Sequence, residues 1–387
     1  MVHSFHSLAW GVLFLGFVPR SLLGQSLPVE PVQIGTTPQY VMDQHIVDNH
    51  WAIKSKRDAV TRVFHSATKH AANPLFPKEK ASFLWVVRDE EAGLFRMWYQ
   101  ANILLEGVEK GRKYQAQVAY AESPDGVKWT KPDLKLFPEF SIHPNNIVLA
   151  GPPGKTLESS APCLLEVPKK DRRGFKYLML YRSKGGGGGD FNGIRVVGSQ
   201  DGIHWDANSD KRIAHLHSDC ANTISYDPRR EEYVMYCRPK HIYRTFQGHI
   251  VDTGASRRVA RLTNKNLWSD WLEHSEPQTV LIPDEIDAKE RFHFFYGMPT
   301  RFHDGVYWGF LEPFRLNDFI HTELAFSRDG IHFTRHPQRT KLIEYGKEGT
   351  WDDTMIFASP GWVDVGDEWW IYYSGWDGPH GTTERMG

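Results

Sequence analysis

The chain has few cysteines, no excess charge of one sign and few long apolar runs, and each shortage excludes a class of protein. Among its 387 residues only Cys163, Cys220 and Cys237 are cysteines, without Cys-x-x-Cys spacing, so we predict no structural zinc site and interpret all three as small buried residues. With 46 basic against 47 acidic residues, no overall field favours nucleic acid or an anionic membrane as a partner.

One apolar run stands near the N-terminus, from Leu8 to Val18. It is too short to cross a bilayer and is followed by small residues near Gly24, a pattern typical of an export signal. We therefore predict a signal peptide over residues 1–24 and a secreted or periplasmic protein with no membrane contact after its removal. The n-region holds His3 and His6 but no Lys or Arg, so a buried N-terminal strand is the alternative.

Amphipathic helical runs are also missing, and a short motif recurs instead. Ser-x-Asp-Gly-x-x-aromatic is written three times, within "ESPDGVKW" (122–129), "GSQDGIHW" (198–205) and "FSRDGIHF" (326–333). In such a turn Asp accepts bonds from backbone amides, and Gly adopts a positive φ. We predict that each copy connects the third and fourth strands of a repeated unit, with its aromatic residue packed between units.

A second element recurs five times, a strand of aromatic and aliphatic residues that ends on a polar one. The copies "FRMWYQ", "YLMLYR", "YVMYCR", "VYWGFLE" and "WWIYYS" end at Gln100, Arg182, Arg238, Glu312 and Ser374. Short strands separated by Gly, Asp and Pro turns favour an all-β fold, and five units predict a five-bladed β-propeller. A β-sandwich with coincidental turn similarity is the alternative.

We predict one propeller domain over residues 25–387. Its blades are placed near residues 79–140, 158–210, 219–275, 293–340 and 353–387. The sequence stops soon after the second strand of the fifth unit, so the last blade is expected to be incomplete. Either the sequence is truncated, or N-terminal residues 39–48 complete the ring.

In a propeller, the starts of first and third strands and the ends of second strands meet at one face, beside the central channel. Acids, arginines and aromatics converge there, which suits glycosidic bond cleavage by a carboxylic acid and a carboxylate. The Asp-Gly turns lie at the other face and are expected to be scaffold. The predicted catalytic residues are Asp219, Glu323, Glu158 and Asp353. The predicted substrate-binding residues are Arg182, Arg238, Arg258, Gln100, Tyr296, His321, Trp376 and His380.

Arginine at equivalent strand ends is suited to binding carboxylate, sulfate or phosphate, so the predicted oligosaccharide substrate includes acidic or sulfated ones. No cofactor and no metal site are predicted. A divalent cation in the channel near His293 or Asp219 is an alternative that no ligand spacing supports.

Seven segments, taken together, are specific to one group of sequences: "VRDEEAGLFRMWYQ", "VAYAESPDGVKWTKPDL", "NNIVLAG", "HSDCANTISYDPRREEYVMYCRP", "FYGMP", "ELAFSRDGIHF" and "GTWDDTMIFAS". Over residues 39–381 the chain resembles the five-bladed propeller glycoside hydrolases, in particular bacterial secreted proteins with a family 32-like N-terminal domain, related to families 43 and 117. The resemblance implies a sugar-binding funnel and acids from different blades, with Glu158 and Asp219 matching blade-leading acids by position.

The sequence departs from invertases of that group. It lacks their Trp-Met-Asn-Asp-Pro-type nucleophile segment and their Arg-Asp-Pro and Glu-Cys motifs, so fructan specificity does not carry over. The predicted function is a secreted hydrolase that cleaves a glycosidic bond of a plant or algal oligosaccharide. A glycoside phosphorylase, a sialidase-like enzyme and a non-catalytic glycan-binding propeller are the alternatives.

Overall fold

The computed structural model describes residues 33–47, 62–77, 81–104, 114–150, 158–184, 193–239, 241–246, 249–255, 257–315 and 319–380. The chain divides into two compact units, Met1–Arg62 and Val63–Gly387. In the first unit, residues 33–47 form turns, while the predicted signal peptide and residue 48 lie outside the described residues. No helix in the described part of the chain combines the length and apolar character that crossing a membrane requires.

The second unit is built from antiparallel sheets, as its alternating aromatic and aliphatic segments predict. The first sheet joins, in order, β1 (Ala81–Asp89), β2 (Leu94–Leu104), β3 (Tyr114–Ser123) and β4 (Ile147–Leu149). The second sheet joins β5 (Glu158–Glu166), β6 (Tyr177–Lys184), β7 (Gly193–Ser199) and β8 (Trp205–Ala214). A 3-10 turn, Lys169–Asp171, lies between β5 and β6.

The third sheet joins, in order, β9 (Thr223–Asp227), β10 (Glu232–Cys237), β13 (Val259–Asn264) and β14 (Gln278–Leu281). A separate hairpin, β11 (His241–Phe246) with β12 (His249–Ala255), is inserted between β10 and β13. The sequence analysis did not predict this hairpin. A single helix of the described chain, α1 (Glu285–Lys289), follows this sheet and begins with a capping box at Asp284.

The fourth sheet joins β16 (Thr300–His303), β17 (Val306–Leu311), β19 (Thr322–Ser327) and β20 (Thr334–Arg335), and β21 (Lys341–Ile343) also pairs with β19. Beside it, β15 (Phe294–Phe295) pairs with β18 (Pro313–Phe314). The last unit contributes two pairs, β22 (Met355–Ala358) with β25 (Tyr373–Trp376) and β23 (Val363–Val365) with β24 (Glu368–Trp370).

The sheets form a ring of four blades that resembles a β-propeller, so the all-β prediction is confirmed. Buried apolar clusters connect neighbouring sheets, and one of them joins Tyr372 and Val363 of the last unit to Phe95 and Met97 of the first sheet. A four-stranded fifth blade is not formed by the described residues, where two strand pairs occupy that position. The expectation of an incomplete last blade agrees with this arrangement.

The three Asp-Gly motifs form the predicted turns. In the first, the Asp125 carboxylate accepts hydrogen bonds from the amides of Val127 and Lys128, at 2.9 and 2.7 Å, and Ser123 Oγ accepts one from the Gly126 amide. The other two turns repeat these contacts with Ser199, Asp201 and Gly202, and with Ser327, Asp329 and Gly330. Each aspartate is therefore occupied by its own backbone, which supports a scaffold role.

Each of these turns is also fixed to an aromatic side chain of another unit. Tyr372 donates to the Gly126 carbonyl, Trp98 to that of Gly202 and Tyr236 to that of Gly330, at 2.7–2.9 Å. Gly202 has φ +79°, and a Cβ there would lie 2.8 Å from the Trp98 ring. The glycine is thus required both for the turn and for the close contact between units.

Candidate functional site

A polar cluster forms where β9 begins, where β10 ends and beside the β15–β18 pair. The loop before β9 is held by Ser218 and Asn222: the Ser218 hydroxyl donates to the Asn222 side chain, and the Asn222 amide donates back to the Ser218 carbonyl. The Arg238 amide, just after β10, donates to Ser218 Oγ at 2.9 Å. This short loop therefore sets the position of Asp219 relative to Arg238.

Arg238 is the centre of the cluster. Its Nη2 forms an ion pair with Asp219, whose side chain is 39% exposed, whereas the Arg238 side chain is 4% exposed. The guanidinium carbon lies 4.9 Å from the centroid of the Tyr296 ring. Nε and Nη1 of Arg238 have no hydrogen-bond partner among the described residues. Burial lowers the pKa of Arg238 to about 10, and the neighbouring charge of Arg257 contributes to the lowering.

Glu312 is the buried carboxyl of this cluster. The residue is 1% exposed, and neither side-chain oxygen has a hydrogen-bond partner in the described part of the chain. Burial raises the pKa of Glu312 to about 8, against the opposing charge of Arg238. A Cβ on Gly297 would lie 2.7 Å from Glu312 Oε2, so the carboxyl packs directly on the glycine backbone. Glu312 is therefore held protonated at neutral pH.

A second arginine, Arg257, also lies close to the aromatic residues of this cluster. The Arg257 guanidinium carbon lies 4.9 Å from the Phe314 ring centroid and 5.7 Å from that of Tyr296. The His380 ring is 5.0 and 5.3 Å from the same two rings. Burial lowers the pKa of His380 to about 4, helped by the charges of Arg257 and Arg238, so the imidazole is neutral at pH 7.

The structure brings together several residues that the sequence analysis had predicted on separate blades. Asp219, Arg238, Tyr296 and His380 share this cluster through the contacts above. Arg182, at the partly buried end of β6, acts electrostatically on Arg238. Trp376 lies 6.3 Å from Phe357, which in turn contacts Tyr296 at 5.2 Å. Their roles in catalysis or substrate binding stay predictions.

Glu323 and His321 lie in a different environment. Arg335 donates to Glu323 Oε2 from Nε and Nη2, at 3.1 and 2.8 Å, and also to both oxygens of Asp287. His321 Nε2 is 2.8 Å from Glu323 Oε1. Burial opposes the charge of Glu323, yet the bond to His321 and the charge of Arg335 outweigh it, and the pKa of Glu323 is lowered. This buried network ties the fourth sheet to α1.

Several of the other predicted site residues contact residues outside the Arg238 cluster. Asp353 accepts from the Gly349 amide at 2.6 Å and from the Thr354 hydroxyl at 2.7 Å. Gln100 accepts from the Ala161 amide at 3.3 Å, which links the first and second sheets. Glu158 pairs in register with Lys184 at the sheet end, and Arg258 precedes β13.

Two ionisable residues of the cluster, Glu312 and Arg257, were not among the predicted site residues. Glu312 follows β17, and Arg257 precedes β13. The signal for Glu312 was present, because it is the only carboxylate among the five recurring polar strand ends. Strand-end position could not reveal that its oxygens would be buried without a partner.

The site residues do not indicate a metal centre. Among the described residues, no group of three or more His, Cys, Asp or Glu side chains could hold a metal ion. The alternative of a cation near His293 or Asp219 therefore gains no support from the arrangement of those residues.

A cavity of about 620 Å³ lies elsewhere, between the first sheet and the last unit. Apolar and aromatic side chains dominate its walls, among them Leu84, Met97, Trp351, Trp370 and Tyr372. None of the Arg238, Glu312 and Asp219 side chains lines it. The uncompensated charges lie in the Arg238 cluster and not in the walls of this cavity, which is why that cluster is the candidate site.

Comparisons with known proteins bear on the fold. No protein-family model matches the chain, and no curated protein matches it. Among solved structures, it is similar to an N-acetylgalactosamine deacetylase from F. plautii in complex with blood group B trisaccharide, with a TM-score of 0.53 and 17% identity over 81% of this chain and 83% of that one.

Two further solved structures are glycoside-acting proteins. A thermostable family-43 glycoside hydrolase has a TM-score of 0.52 and 14% identity over 80% of this chain and 89% of that one. A structure from the GH130 family of mannoside phosphorylases, which contains hydrolases that target β-1,2 mannosidic linkages in Candida mannan, has a TM-score of 0.51 and 12% identity, with coverage of 85% and 94%. The chain thus shares a fold with propeller glycoside hydrolases, and its placement near families 32, 43 and 117 stays a prediction.

Proposed function

We propose that the protein is a secreted glycoside hydrolase that cleaves a glycosidic bond of an oligosaccharide at the Arg238 cluster. The observation that carries this proposal is the contrast between two carboxyl groups beside one arginine. Glu312 is buried with no partner for either oxygen among the described residues, and Asp219 is partly exposed and ion-paired. Carboxyl groups in such different environments are suited to the separate acid and base roles of glycoside cleavage.

In the proposed reaction, Glu312 gives its proton to the glycosidic oxygen, and the C–O bond breaks with departure of the alcohol. Asp219 either takes a proton from the attacking water or attacks the anomeric carbon itself. Since both Glu312 oxygens are buried, substrate binding must expose the carboxyl group before its proton can be transferred. In this proposal a sugar ring packs against the aromatic residues of the cluster, Tyr296 among them.

Activity measurements on defined oligosaccharides test the proposal. We expect phosphate-independent release of sugar. Glu312→Gln and Asp219→Asn should each lower kcat by roughly 10²- to 10⁴-fold, because the first removes the acid and the second removes the base or nucleophile. The pH profile of kcat/KM should fall above about pH 8, where Glu312 loses its proton. The matched control is Glu166→Gln, which changes the exposed glutamate at the last position of β5.

Three results would count against this proposal. If Glu312→Gln keeps full turnover, Glu312 is not the acid. If the protein binds oligosaccharides but turns none over, it is a glycan-binding propeller. A shift of product from free sugar to sugar phosphate on addition of phosphate would instead show a phosphorylase, a candidate favoured by the partnerless guanidinium nitrogens of Arg238 and Arg257.

A further inference from the structure

The guanidinium groups of Arg238 and Arg257 both lie close to one aromatic ring, that of Tyr296. Their carbon atoms lie 4.9 and 5.7 Å from the centroid of Tyr296. Nε and Nη1 of Arg238 and Nη1 of Arg257 are buried nitrogen atoms that donate to no partner in the described part of the chain. Three oriented donors are therefore available around Tyr296.

The positive charge of this pair is not balanced by the described residues. Asp219 is the one carboxylate that forms an ion pair with Arg238, and no described carboxylate forms one with Arg257. Glu312 is protonated at neutral pH and contributes no negative charge. His380 is neutral there and adds no positive charge. Guanidinium groups that are removed from water without a counterion are costly, so this arrangement is suited to an anion supplied from outside.

The rest of the cluster restricts the class of molecule that can carry this anion. Three aromatic rings lie next to the guanidinium groups, those of Tyr296, Phe314 and His380. The centroids of these three rings are 5.0–5.7 Å from one another. A planar guanidinium binds carboxylate or sulfate oxygens through parallel N–H donors, and an aromatic face packs against the C–H groups of a sugar. Both kinds of contact are available to one acidic sugar residue.

We propose that Arg238 and Arg257 bind an oxyanion carried by the substrate itself, a carboxylate or a sulfate ester on the sugar ring that stacks on Tyr296. This inference rests on the proposed function, since it assumes that the Arg238 cluster is the sugar site. It makes an anionic glycan the substrate class and gives Arg257 a role in choosing that substrate.

Isothermal titration calorimetry of the full chain tests this inference. The probes are glucuronate and glucose 6-sulfate as anionic sugars, glucose as the neutral sugar, and inorganic phosphate as the free anion. We expect both anionic sugars, or one of them, to bind at least ten times more tightly than glucose. Arg257→Gln should weaken that binding roughly 10- to 100-fold, because charge-assisted hydrogen bonds are lost.

Two further variants keep the test decisive. Arg257→Lys retains the charge but not the forked donors, so it should show an intermediate loss. Arg173→Gln removes an exposed arginine just after the 3-10 turn that lies between β5 and β6. This variant should leave binding unchanged. If Arg257→Gln does not fold, the lysine variant alone supplies the comparison.

The opposite results would overturn the inference. Equal binding of glucose and the anionic sugars, or binding of inorganic phosphate alone, would show that the arginines do not select an acidic sugar. Cleavage of neutral glycosides that depends on Glu312 would remove this inference and keep the proposed hydrolase. Tight Arg257-dependent binding of an acidic sugar without any cleavage would support this inference and remove the proposed hydrolase.

Discussion

Two glutamates of the fourth unit are buried to the same extent, but one has hydrogen-bond partners for its carboxyl group and the other has none among the described residues. Glu312 and Glu323 are 1% and 2% exposed; Glu312 follows β17, and Glu323 lies in the neighbouring strand β19. Glu323 is bonded to Arg335 and His321, and its pKa is lowered. Glu312 has no bonded partner in the described chain, and burial raises its pKa to about 8.

The difference shows that burial alone does not decide what a carboxyl group does. A buried carboxylate whose charge is matched by an arginine strengthens the connection between elements, as Glu323 does between the fourth sheet and α1. A buried carboxyl without such a match keeps its proton, and it can give that proton to a substrate. We therefore expect substitutions at the two positions to affect stability in opposite directions.

The largest expected effect on the free energy of unfolding comes from breaking the ion pair between Arg335 and Glu323. Arg335→Met should lower the free energy of unfolding by about 3–5 kcal/mol, since it leaves Glu323 and Asp287 buried without their counterion. Chemical denaturation at pH 7 measures the loss. Arg173→Gln serves as the control and should change the free energy of unfolding by less than about 0.5 kcal/mol. A similarly small effect of Arg335→Met would show that the network is not a structural connection.

A smaller effect of opposite sign is expected for Glu312→Gln. The pKa of Glu312 is about 8 in the folded protein and close to 4.5 without burial, so between those values the folded state keeps a proton that the unfolded state releases. The stability of the unmodified protein then falls as pH rises, by about 1.4 kcal/mol per pH unit from this group. Glutamine removes that loss and should raise the free energy of unfolding at pH 7 by up to roughly 3 kcal/mol.

Glu323→Gln is the matched comparison for this experiment. The pKa of Glu323 is lowered, so its charged form contributes stability that is present at neutral pH, and the glutamine variant should be less stable than the unmodified protein. Denaturation curves of both variants at pH 5, 6 and 7 measure the contrast. Destabilisation of similar size by both substitutions at pH 7 would contradict the account.

Much of the fold could be predicted from the sequence because it depends on local chemistry that repeats. The Ser-x-Asp-Gly turns are fixed by bonds within eight residues, and the recurring strand ends identify the inner strands. The β11–β12 hairpin has no counterpart among the described residues of the other units, so repetition gave no sign of it. The last unit was harder for the same reason, because its described residues form no third strand like the one by which the other units are recognised.

The candidate site could be predicted in part. Position at strand ends was enough to select Asp219, Arg238, Tyr296 and His380, which lie together. It could not rank Glu312 against Glu323, because the partners that separate them, Arg335 and Asp287, come from β20 and from α1. Ion pairing of this kind depends on tertiary packing rather than on the local pattern.

The most direct test of the account is the protonation state of Glu312. Infrared difference spectra of the unmodified protein and of Glu312→Gln, recorded from pH 5 to pH 10, isolate the C=O stretch of this one carboxyl group. The account predicts a protonated carboxyl signal at pH 7 that disappears with a midpoint near pH 8. A carboxylate signal already complete at pH 6 would contradict it, and the proposed acid of the Arg238 cluster would be lost.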